Sequence, residues 1–109
     1  MKNYELLLMF NASQEESAGK TVDKYKNIIA NKGGSVDRYE DWGNMKLAYN
    51  INKNNKARYI LMNFQANDEI LKEISGLIKF NDSILRHLFL LKNKPITEPS
   101  IMMLNKDRM

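Results

Sequence analysis

A change of apolar period, occurring twice along the chain, constrains its fold more than any other feature. "NYELLLMF" at 3–10 alternates, with Tyr4, Leu6, Leu8 and Phe10 on one side and Glu5, Leu7 and Met9 on the other. A period of two is that of a strand, here one buried on one face and partly on the other. The period then lengthens behind "SQEE", where Ser13 and Glu16 stand at capping-box spacing. Ala18, Val22, Tyr25 and Ile29 recur at helical intervals with Ile28 alongside, and "KGG" at 32–34 is a natural stop. Residues 35–51 return to strand character, with Met45, Leu47, Tyr49 and Ile51 on one side and Asn44, Lys46 and Asn50 on the other. Gly43 lies where the phase changes, which predicts a bulge. The "NKNNK" cluster predicts a loop. "ARYILMNF" predicts the strand that closes a hairpin, with Ile60, Met62 and Phe64 on one side. From Asn67 or Asp68 the helical period returns through Ile70, Ile74, Leu77 and Ile78, and "ILRHLFLLK" is a fourth strand.

The order is β-α-β-β-α-β, an α+β pattern in which a four-stranded antiparallel sheet carries two helices on one face. Its second face is left for solvent or a partner. At 109 residues there is room for one core, so residues 1–94 are expected to form one domain and 95–109 an extended C-terminal tail. Pro95 and Pro99 oppose regular structure in that tail, which nevertheless carries the apolar "IMML".

Few chemistries survive the inventory. With no cysteine and one histidine there is no disulfide framework or cysteine nucleophile, and no metal site or cofactor is expected. No phosphate-binding lysine loop, nucleophile elbow or paired-histidine zinc motif occurs, so the chain is not expected to be an enzyme with a small-molecule substrate. No stretch reaches membrane-spanning length and the N-terminal apolar run is broken by Glu5, so a cytoplasmic location and no membrane partner are expected.

The charge is more informative by position than by size. The net charge is +4, yet residues 42–67 carry Lys46, Lys53, Lys56 and Arg58 without an acid, and residues 83–97 carry Arg86, Lys92 and Lys94 without one. A polyanion would be drawn to those segments if the fold brings them together. Arg86 and Lys92 are candidates to grip phosphate, with Tyr4, Trp42 and His87 as stacking or hydrogen-bonding groups. The glycine-aromatic motif by which RNA-recognition modules of this topology stack bases is absent from "KARYILMNF". An arginine among strand residues facing the helices would be costly unless paired. Arg86 is therefore expected on the open face and His87 on the opposite one.

"NYELLLMF", "DWGNMKLAYNINKNNKARYILMNF" and "FNDSILRHLFLLK" together resemble the bacterial small-subunit ribosomal protein six family, in order and at similar spacing from Asn3 to Lys92. Gly43, Leu47, Ala48, Tyr49, Ile51 and Lys53 fill one pattern of that family, and Leu85, Arg86 and His87 another. The resemblance implies a ferredoxin-like fold and a structural role in translation. It also implies binding to 16S ribosomal RNA in the platform of the small subunit together with ribosomal protein eighteen. By the same resemblance, RNA contact is expected at Lys2, Tyr4, Arg86, His87 and Lys92. The partner protein is expected at Trp42, Lys46, Tyr49, Lys53, Lys56 and Arg58 of the hairpin and at Ile101 and Leu104 of the tail. If the last strand is an outer strand beside the first, Arg86 and His87 are expected near Lys2 and Tyr4. The alternative is a ferredoxin-like oligomerising or small-molecule-sensing domain, which explains the fold but not the placement of the cations.

Overall fold

The structure, a computed structural model, describes residues 1–12, 15–51 and 54–98. The elements follow in the order β1 (Lys2–Asn11), α1 (Glu15–Asn31), β2 (Ser35–Ile51), β3 (Asn54–Ala66), α2 (Asp68–Lys79) and β4 (Ile84–Lys92). All neighbouring strands are antiparallel, in the spatial order β2-β3-β1-β4. The β-α-β-β-α-β order expected from the period changes, and the ferredoxin-like fold that the resemblance implies, are therefore the ones observed, with β4 outermost beside β1.

β1 is a central strand, and its alternation organises both faces. Leu6 lies between Met62 and Phe89, and Leu8 between Ile60 and His87. Directly opposed residues share a face, so Tyr4, Leu6, Leu8 and Phe10 meet Ile60, Met62 and Phe64 under the helices. Ala18, Val22, Tyr25 and Ile29 of α1 and Ile70, Ile74 and Ile78 of α2 complete that cluster. Leu77, expected in the core, is only half-buried at its margin, because the helix turns that position toward its flank. Each large side chain removed from water here contributes roughly 1.5–3 kcal/mol before the entropy of ordering it is set against it.

Local chemistry places the helix ends. Asn67 caps α2, its side chain accepting from the Ile70 amide at 2.9 Å. α1 stops at Gly33, where φ is 91° and a left-handed residue ends the helix without a Cβ clash. Gly34 passes so close to β3 that a Cβ there would lie 2.4 Å from the Gln65 carbonyl. Of the proposed capping pair, Ser13 and the Glu16 side chain lie outside the described residues.

β2 and β3 run on past the end of β1, which pairs no further than Asn11 with Ala57. Their ladder continues through Lys46 opposite Lys56 to Ile51 opposite Asn54. The loop expected over the whole of "NKNNK" is thus a correction, since β3 already begins at Asn54. Polar side chains do not stop a ladder whose backbone groups satisfy each other. The bulge expected at Gly43 is present, with a register shift between Asp41 and Gly43 and a φ of 77°. Three further shifts, between Val36 and Arg38, between Lys46 and Ile51, and at Met9/Phe10 against β4, had no glycine to announce them.

Candidate nucleic-acid interface

β4 displays its side chains on both faces of an outer edge. Arg86 lies opposite Met9 and so points to the open face, while His87 lies opposite Leu8 on the helix side. That division matches the expectation from the cost of burying an arginine. Both residues are exposed, and the His87 ring meets Phe89 edge-on with centroids 5.8 Å apart. Leu88 and Leu90 share the open face with Arg86 and are 50% and 40% exposed.

The expected cluster of Arg86 and His87 with Lys2 and Tyr4 does not form. In the register, Lys92 faces Asn3 and Leu91 faces Tyr4, whereas Arg86 faces Met9 near the far end of β1. Six residues of strand separate Arg86 from Lys92, roughly 20 Å. Antiparallel pairing sends the end of β4 toward the start of β1, so Lys2 and Lys92 share one end of the sheet and Arg86 occupies the other. Tyr4 is also a correction as a stacking group. It is 8% exposed, with its ring 5.8 Å from that of Phe64 inside the helix-covered core.

Several of the cations are answered within the sheet. Glu5 receives Lys92 at 3.6 Å and Arg38 at 2.9 Å. Arg38 also donates from Nε to Asn63 and from Nη1 to the Glu98 carbonyl, each at 2.9 Å. Arg38 is only 10% and Glu5 only 17% exposed by side chain, so this is a semi-buried polar network in the open face. Arg58 forms a forked ion pair with Asp41 across the β2–β3 ladder. The positive surplus of the two acid-free segments is therefore smaller in space than in sequence, because Arg58 and Lys92 are drawn to Asp41 and Glu5 of other segments.

The hairpin keeps a different character. Lys46 and Lys56 are exposed and directly opposed, a like-charge pair that costs stability in the free chain. Trp42 is half-buried, its ring stacked on that of Tyr59 at 6.2 Å, and its Nε1 donates to the buried Glu40 carboxylate at 2.9 Å. Lys53, the Tyr49 side chain, Ile101 and Leu104 lie outside the described residues. The Arg38–Glu5–Asn63 network was missed in the sequence. Its one signal was a charged residue within an alternating strand, and nothing local named its partner.

Elsewhere the resolved titration shifts belong to structural contacts. Glu73 and Glu69 of α2 raise the Lys32 ammonium above its ordinary range by tying α1 to α2. Burial raises the Tyr25 and Tyr39 phenols, assisted at Tyr39 by Asp41, while Lys26 lies 3.5 Å over the Tyr39 ring. Among the described residues no group of three His, Cys, Asp or Glu side chains could hold a metal. None of their helices is long and apolar enough to cross a membrane.

Known proteins resemble the chain in both fold and sequence. A crystal structure of 30S ribosomal protein S6 from Thermotoga maritima matches with a TM-score of 0.75 and 24% identity, covering 98% of this chain and 94% of that one. The C-terminal domain of the MgtC protein from Mycobacterium tuberculosis matches with a TM-score of 0.57 at 5% identity, over 90% of this chain and 95% of that one. At such identities the likeness concerns fold alone. Sequence relatives are nearer. Small ribosomal subunit protein bS6 of Vesicomyosocius okutanii subsp. Calyptogena okutanii is 46% identical over 99% of this chain and 96% of its own. That of Ruthia magnifica subsp. Calyptogena magnifica is 44% identical over the same shares. The family model for ribosomal protein S6 matches residues 3–90. Fold, relatives and family model agree, and the chain belongs to the ribosomal protein S6 family, structural constituents of the small ribosomal subunit.

Proposed function

We propose that the chain binds 16S ribosomal RNA in the platform of the small subunit and does so beside ribosomal protein eighteen. The observation that carries this reading is the outer strand β4. It is an edge strand with Arg86 and His87 exposed on opposite faces, and no acidic residue occurs from 83 to 97. A nucleic-acid backbone following this edge meets a guanidinium able to grip phosphate with two N–H groups. On the other face it meets an imidazole able to hydrogen-bond or stack. Lys94 and Lys2, with Lys92 shared with Glu5, continue the cationic line at the other end of β4, so the contact is extended along the strand rather than gathered in a pocket. Phosphate contacts of this kind position an RNA without reading its bases.

The hairpin overhang suits the partner protein. Its facing Lys46 and Lys56 repel one another in the free chain, and an acidic group set between them removes that penalty. Trp42 stacked on Tyr59 offers an aromatic anchor beside them. Arg58, already paired with Asp41, is a structural element of the hairpin more than a contact.

The test is Arg86→Ala titrated against a platform RNA fragment over a range of salt. Affinity falls and the salt slope drops by about one, while the melting temperature holds. Unchanged affinity at matched salt rejects the assignment. An oligomerising or ligand-sensing domain would instead elute as a homodimer without salt-dependent retention on heparin.

A further inference from the structure

We propose that the open face of the sheet is an intramolecular docking site, occupied in the free chain by the protein's own C-terminal segment, residues 99–109, through Ile101, Met102, Met103 and Leu104. Three observations converge on it. First, that face carries an apolar band. Leu7 lies between Leu61 and Leu88 across three strands, with Leu90 beside them and the Trp42–Tyr59 stack beyond. Leu61 is only 5% exposed although it stands outside the helix-covered cluster, while Leu88 at 50% and Leu90 at 40% leave the β4 side of the band uncovered. An apolar patch continuous across strands and bordered by polar groups marks a site of contact.

Second, the chain beyond β4 is directed onto this face. The Arg38 side chain starts on β2, holds Asn63 of β3 and Glu5 of β1, and gives its remaining bond to the Glu98 carbonyl at 2.9 Å. Residues 93–98 therefore double back from the β4 edge, and Glu98 is tied to a guanidinium that lies over the middle of the sheet. The row containing Glu5 and Leu90 is two residues from the row containing Leu7 and Leu88, about 7 Å.

Third, the length and composition of the remaining segment fit. Ile101 follows Glu98 by three residues, a reach of about 10 Å when extended, and Pro99 favours an extended approach. The four apolar side chains thus arrive at the band. A tether this short presents them at an effective concentration on the order of millimolar, which favours the chain's own segment over a second copy in dilute solution. This inference concerns the free chain and stands independently of RNA binding.

The experiment compares the full chain with the double variant Ile101→Asp, Leu104→Asp by methyl NMR and by iodide quenching of Trp42, the sole tryptophan. The full chain shows cross-peaks from the Ile101 and Leu104 methyls to those of Leu7, Leu88 and Leu90 at every protein concentration. In the variant the Leu88 and Leu90 methyl resonances shift and quenching of Trp42 rises. Absence of the cross-peaks in the full chain overturns the proposal. So do cross-peaks that strengthen with concentration while the protein elutes as a dimer, which would make a second copy the occupant.

Discussion

The two faces of one sheet are built by the same strands and held together by different physics. Beneath the helices, Leu6, Leu8, Phe10, Ile60, Met62 and Phe64 are all fully buried, an uninterrupted apolar layer. On the other face each strand sets a polar residue among its apolar ones. Glu5, Arg38 and Asn63 form a bonded group, and the nearly buried Glu40 accepts from the Trp42 indole. Polar residues in such places limit the unpartnered apolar area and make sheet-to-sheet association less favourable. The covered face supplies stability, and the open face holds a specific arrangement that includes the bond from Arg38 to the Glu98 carbonyl.

Core truncation gives the largest expected difference between the faces. Phe10→Ala costs about 3–5 kcal/mol by urea denaturation because the space cannot refill, whereas Leu88→Ala, at a half-exposed position, costs about 1 kcal/mol. Equal losses would erase the distinction. Arg38→Ala comes next, at about 2–3 kcal/mol, since it leaves the semi-buried Glu5 with two long contacts, Lys92 at 3.6 Å and the Asn63 amide at 3.5 Å. The paired replacement Glu5→Leu, Arg38→Met recovers most of that loss. Failure to recover would show that the network contributes more than the avoidance of an uncompensated charge. Lys46→Gln is the smallest effect, a gain of about 0.2–0.5 kcal/mol at low ionic strength that fades as salt screens the lysine pair. A loss at low salt would mean that Lys46 has an anionic neighbour in the free chain.

Local patterns were legible wherever their cause was local. The limits of β2 and β4, the Asn67 cap and the bulge at Gly43 all follow from propensity, period or φ preference within a few residues. The fate of Tyr4 was not legible, because an aromatic on a strand's inward face reads equally as core or as a platform until Phe64 is placed beside it. The end of β3 nearest the hairpin was misjudged because Asn and Lys mark loops only when no partner strand continues the ladder. Arg58 and Lys92 read as free cations in sequence because the acids that answer them, Asp41 and Glu5, belong to other strands.

What the amino-acid order determined by itself was the succession of elements and the side of each strand that faces the helices. Both depend on a periodicity that is complete within about ten residues. Tertiary structure alone decided that Arg86 lies at the opposite end of the sheet from Lys2, and that Arg38 joins Glu5, Asn63 and the Glu98 carbonyl. Those relations arise from strand register and chain reversal, which bring to Arg38 residues 33, 25 and 60 positions away in sequence. Each such contact is made by the assembled sheet, because no local interaction holds its partners near one another in the unfolded chain.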